Sequence, residues 1–124
     1  MGKQLVVIEH ANPTRFDVGK AGDSIGDTVV FNNDLYDEAN VTIVGKVQGV
    51  CVRTAVGKSM ECFATNIFEN GMITIQGPAD DSVYGTAEIS AVITGGIGDF
   101  LGAAGEVKLK KLEGNQFVHT FELT

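Results

Sequence analysis

Apolar residues along this chain come in short runs rich in Val, Ile, Phe and Thr, each bounded by Gly, Asn or Asp. No stretch sustains a helical period of about 3.6 residues. Short apolar runs framed by turn residues predict strands. Strands are expected at residues 4–9, 59–68, 72–76, 87–94, 106–112 and 117–123. Residues 12–27 read as a long polar loop carrying Gly19, Gly22 and Gly26. A short extended piece, 28–31, is followed by the polar stretch 32–40. Residues 41–56 read as one long strand, broken or bent at Gly45 and Gly49.

Two turns fix neighbours. Gly57-Lys58 suits a two-residue hairpin with glycine first. Glu69-Asn70-Gly71 suits a short hairpin with glycine in a left-handed position. If Val56 pairs with Ser59, Cys51 lies opposite Ala64, and Cys62 shares the Cys51 face, diagonally displaced. Within 85–94, Thr86, Glu88, Ser90 and Val92 take one face, and Ala87, Ile89, Ala91 and Ile93 the other. The second face is apolar throughout. Glu88 and Ser90 face either solvent or a partly polar lumen. A meander of this length must curl to hide its edges, so the expected fold is all-β, a closed antiparallel barrel of about eight strands.

Composition narrows the picture. The 124 residues fit one domain, 1–124, with no linker, repeat or low-complexity tract. Sixteen glycines against two prolines suit tight turns and barrel corners better than disorder. The formal net charge of −7 argues against nucleic acid, which needs clustered Lys and Arg; Lys108, Lys110 and Lys111 are the densest basic group. No segment approaches the roughly 18 apolar residues of a membrane helix. The start of the chain lacks the apolar length and cleavage site of a signal peptide, so a cytoplasmic location is expected and the sequon Asn40-Val41-Thr42 carries little meaning.

Candidate chemistry is sparse. The glycines from Gly96 to Gly102 have the wrong spacing for a dinucleotide loop and read as a turn between strands. Cys51 and Cys62 are the only cysteines. They read as buried free thiols, because a disulfide is unexpected without export. His10 and His119 lack ligand spacing, so no metal site is expected. Asp80-Asp81 and the group Asp34, Asp37 and Glu38 read as solvated turn residues. Asn32 and Asn33 suit turn chemistry about as well as a site. Glu9 stands apart: it ends an apolar strand with the parity of Leu5 and Val7. It either reaches water at the strand end or enters the lumen, where a carboxylate needs a partner or a task.

Several motifs, in order, resemble the allene oxide cyclase family: residues 26–37 (GDTVVFNNDLYD), 49–52 (GVCV), 73–78 (ITIQGP), 93–109 (ITGGIGDFLGAAGEVKL) and 119–123 (HTFEL). The glycine-rich part is also similar to dirigent proteins, which share the barrel. The resemblance implies an eight-stranded barrel with an apolar lumen, a homo-oligomer (dimer or trimer) and no cofactor. It implies an isomerase or cyclase that confines a hydrophobic, polyunsaturated small molecule and steers its ring closure, a polyketide cycloaddition included. A non-catalytic, dirigent-like ligand barrel is the alternative. By the same resemblance Glu9 matches an active-site glutamate, Asn33 an asparagine that holds a water, and Cys51 a lumen cysteine. Met60, Cys62 and Phe68 share one strand face as further wall candidates. The chain departs from the family at Ala11, where an asparagine is usual, and at Ala79 and Met60, where aromatics are usual. These exchanges enlarge or reshape the lumen.

Overall fold

The computed structural model describes residues 2–19, 21–80 and 88–124. Asp81 and residues 85–87, named above, lie outside them. Among the described residues the chain forms nine strands and no helix, hence no helix long and apolar enough to cross a membrane. The strands are β1 (Lys3–His10), β2 (Thr14–Phe16), β3 (Thr28–Tyr36), β4 (Ile43–Ala55), β5 (Ser59–Phe68), β6 (Gly71–Asp80), β7 (Glu88–Gly98), β8 (Gly105–Lys111) and β9 (Gln116–Leu123).

From β3 to β9 each strand pairs antiparallel with the next. The first position of the barrel is shared. β1 pairs with β9 along its length and with the Asp34–Tyr36 end of β3, while β2 pairs with the Thr28–Val30 end. The sheet therefore closes as an eight-stranded antiparallel barrel, as the strand count predicts. Closure leaves no long open edge.

Alternation decides what fills it. Val7, Leu35, Val47, Ile73, Ile93, Val107 and Phe121 point inward and form one buried cluster, with Ile75 and Leu123. Phe68 stacks at a tilt on Phe100, centroids 5.5 Å apart, and packs against this cluster. On β7, Ile89, Ala91 and Ile93 face inward, whereas Glu88 and Ser90 are exposed. That settles which way the two polar residues point.

Three expectations need correction. The loop 12–27 contains the short strand β2. β3 does not stop at Phe31 but runs to Tyr36, because Asn33 and Leu35 continue its inward face; local polarity hid a strand whose polar residue has a partner inside. The third concerns the β4–β5 hairpin. Ala55, not Val56, pairs with Ser59, and the register shifts once more between Arg53 and Ala55. The shift places Cys51 directly opposite Cys62, Cα atoms 4.0 Å apart, and the two form a disulfide. The expectation of free thiols fails because a bulge, invisible in the apolar pattern, moved the register by enough to bring the sulfurs together.

β4 runs through both glycines as one strand, with an irregularity in its β3 ladder beside Gly45, where Leu35 pairs with Gly45 and Tyr36 with Ile43. Gly49 faces inward where β5 passes so close that a Cβ would collide with the Phe63 carbonyl oxygen and the Ala64 Cα. The glycine thus permits tight coiling of the sheet there. Gly49→Ala is expected to lower stability by about 1–3 kcal/mol through forced strand separation, read as a lower urea midpoint at unchanged slope.

Candidate functional site

Three polar side chains meet inside the barrel from three strands that closure sets side by side. Glu9 on β1 follows the inward residue Val7 by two positions. Asn33 on β3 precedes Leu35 by two. His119 on β9 lies between Phe117 and Phe121 on the same parity. All three are buried, at 8%, 3% and 2% exposure.

They bond to one another through Glu9. His119 Nε2 lies 2.8 Å from Glu9 Oε1, and Asn33 Nδ2 donates to Glu9 Oε2 at 2.6 Å. The Asn33 amide oxygen accepts the backbone N–H of Asn12 at 3.0 Å, which turns its NH2 toward Glu9. A carboxylate can only accept, so Nε2 carries the hydrogen of the His119 contact. Burial pushes the Glu9 carboxyl upward, but the hydrogen bond and electrostatic attraction of His119, with the Asn33 hydrogen bond, outweigh it and hold the group below its usual range. Glu9 is therefore ionised at neutral pH. Two of its roughly four lone-pair sites are used inside the protein, which leaves acceptor capacity on the cavity side.

Beside Glu9 and His119 lies a cavity of about 150 Å³. Its walls are otherwise mainly apolar: Phe31, Val47, Ile75, Ile89, Leu109 and Phe117, the small residues Ala64, Gly77, Ala79 and Ala91, and the Cys51–Cys62 disulfide. Of the residues singled out from the sequence, Glu9, Cys51, Cys62 and Ala79 line this cavity, and Asn33 stands behind Glu9. Met60 and Phe68 share the β5 inward face but do not line it. Met60 is buried beside Arg53 and Ala79 in the ladder, and Phe68 helps to plug the other half of the barrel.

His119 escaped the sequence reading as a site residue. Its signal was there: it is the one polar residue in the alternating inward set Phe117, His119, Phe121 and Leu123. The acidic loop residues take local structural roles. Asp37 accepts the backbone N–H groups of Val41 and Thr42, and Asp34 pairs with Lys46 at 3.1 Å. Among the described residues no three His, Cys, Asp or Glu side chains gather closely enough to hold a metal ion.

The loop between β2 and β3 is strapped to the β4–β5 hairpin. Asp27 is buried and accepts the backbone N–H groups of Val18 and Ser24, both at 2.9 Å. Arg53, buried on the inward parity of β4 one step beyond Cys51, pairs with Asp23 at 2.9 Å. Asp23 also accepts the Gly57 N–H.

A wider recess of about 830 Å³ lies on the β3–β6 side of the barrel, lined by Val30, Asn32, Gln48, Val50, Phe63, Thr65, Thr74 and Gln76 among others. None of its lining residues is ionisable. The ionisable side chains Glu9 and His119 line the smaller interior cavity instead.

Solved structures share this fold. A pyocyanin demethylase superposes with a TM-score of 0.86 at 22% identity, covering 98% of this chain and 100% of that one. AbnU, an exo-specific intermolecular Diels–Alderase, gives 0.77 at 18% identity, covering 99% and 98%. The pterocarpan synthase dirigent protein PsPTS1 gives 0.71 at 16%, covering 99% and 93%. At these identities the likeness is one of fold. No curated protein sequence matches the chain significantly. The dirigent-like protein family matches residues 3–124, nearly the whole sequence, and the chain belongs to that family.

Proposed function

We propose that this protein binds a small, unsaturated, largely apolar molecule in the barrel cavity and steers its ring closure. The observation that carries the reading is an ionised carboxylate, held by two donors, in the wall of an otherwise apolar cavity. Apolar walls confine a flexible chain to few conformers, and a fixed charge beside it favours a transition state in which positive or delocalised charge develops. Glu9 is the group in contact with the reacting atoms. Asn33 and His119 act as positioning residues, because each holds one carboxylate oxygen. The cavity is smaller than the roughly 300–1,000 Å³ of common ligand sites, so it suits the reacting part of a substrate rather than a long chain. The Diels–Alderase name of one fold neighbour is consistent with ring closure, whereas the demethylase name of another concerns different chemistry.

A second reading is a dirigent-like or ligand-binding barrel without chemistry of its own. It is favoured by the two internal hydrogen bonds that Glu9 already accepts. Incubation with an allylic fatty-acid epoxide, and separately with a tethered diene–dienophile, separates the two. The cyclase reading expects one enantiomer in excess, and a rate in Glu9→Gln lower by about 10²-fold. Racemic product at the spontaneous rate from both proteins with both substrates overturns it.

The Glu9 carboxyl also ties stability to pH. Its folded pKa lies below the ordinary 4.5. Its contribution is thus present above that value and is lost as pH falls through the folded pKa. Wild-type protein should lose urea stability relative to Glu9→Gln as pH falls below 4.5.

We also propose that copies of the chain associate through the outer face of β3–β6. Val30, Val50 and Phe63 lie there among uncharged polar residues, on a protein of net charge −7. Asp34, Lys46 and Glu61 lie at its edge, so the patch has an uncharged centre and a charged rim, the anatomy of an interface. Light scattering is expected to give an oligomer for the wild type and a monomer for Phe63→Glu; a wild-type monomer at micromolar concentration refutes this.

A further inference from the structure

The Cys51–Cys62 bridge joins β4 to β5 in a hairpin that the ladder already closes, from Gly45 opposite Phe68 to Arg53 opposite Met60. The cysteines are only 11 positions apart in sequence. A bridge across so short a loop, between strands already paired, adds comparatively little constraint on the unfolded chain. Its larger consequence is local, because both cysteines line the cavity beside Glu9 and His119.

Bonded sulfurs sit about 2 Å apart, whereas non-bonded heavy atoms need about 3.5–4 Å. The ladder fixes the Cα atoms at 4.0 Å. Opening the bridge must therefore swing at least one sulfur aside. The neighbours decide where it goes. On one flank Cys51 pairs with Val29, a buried residue. On the other flank Cys62 pairs with Gly77, which has no side chain and itself lines the cavity. A Cβ at Gly77 would already meet Ala91 at 3.1 Å, so the open direction is inward, into the space of about 150 Å³ that both cysteines line.

We propose that the Cys51–Cys62 bridge determines what the cavity accepts: bonded, it keeps the space beside Glu9 clear, and reduced, a sulfur enters that space and ligand is displaced. The proposal rests on the reading that the cavity binds a small molecule. Reduction by dithiothreitol breaks the S–S bond, delivers two electrons and two protons to give two thiols, and leaves the reagent as its cyclic disulfide. Because coupling is reciprocal, a ligand that prefers the bonded form also disfavours reduction by the same factor.

The probe is 2-naphthol, a small aromatic with one hydroxyl for Glu9, titrated by fluorescence into the full chain. Three forms are compared: oxidised, dithiothreitol-reduced with both thiols verified by mass, and Cys51→Ala/Cys62→Ala. The reduced form is expected to bind about tenfold more weakly. The alanine pair, which lacks bridge and sulfurs alike, is expected to regain most of that loss despite a lower melting temperature. Equal affinity of the oxidised and reduced forms overturns the proposal while leaving the cavity reading intact. So does an alanine pair as weak as the reduced protein, since the bond and not sulfur intrusion would then matter. Absence of binding to every form overturns the cavity reading, and this proposal with it.

Discussion

A negative charge inside an apolar barrel persists only where donors surround it, and here the donors of Glu9 come from chain positions 24 and 110 residues away. Neither Asn33 nor His119 is near Glu9 until β1 lies between β3 and β9. That placement is the closure of the barrel itself. Satisfying the carboxylate and sealing the sheet are thus one structural event. A chain that left β1 unpaired on its β3 side would strand Glu9 without Asn33, and a buried charge that loses a partner is strongly penalised.

The break between β1 and β2 follows from the same arrangement. Pro13 has no N–H to give a ladder, and the chain leaves the barrel wall there before rejoining it along β3. The backbone released at this point is not idle. The Asn12 N–H reaches Asn33, and thereby fixes which end of that amide meets Glu9. Farther on, the loop is held down by Asp27, Asp23 and Arg53, whose bonds run mainly to backbone groups and so do not depend on the apolar core. The mouth of the barrel is organised by polar contacts and the closed half by packing.

Much of this was legible in the sequence. Period-two alternation put Leu5, Val7 and Glu9 on one face, and the glycine-rich turns marked most strand ends, so the barrel followed from pattern, whereas a strand-end glutamate reads the same whether it reaches water or enters the lumen. Asn33 was ambiguous because a polar pair after an apolar run looks the same whether the strand ends or turns a polar residue inward. The Cys51–Cys62 pairing was hidden for a sharper reason. Register depends on the irregularity between Arg53 and Ala55, and side-chain polarity carries no mark of one extra residue beside a hairpin. His119 was hidden by its partner: a histidine means little until the carboxylate it meets is known, and that carboxylate is at the other end of the chain.

The size of the cavity is set by what is missing from its walls. At Gly77 a Cβ would already press on Ala91, 3.1 Å away, so the wall is tight there even without a side chain. Ala64, Ala79 and Ala91 are likewise small, while the other half of the barrel is filled by Phe68, Phe100 and Phe121. The taper from aromatic plug to small-residue wall leaves the cavity of about 150 Å³ beside Glu9. Folds of one kind host unrelated reactions because chemistry resides in such local substitutions rather than in the strands. Here the local features are Ala79 and the disulfide, and both line the same cavity as the Glu9 carboxylate. A molecule that enters the cavity meets that charge between those residues.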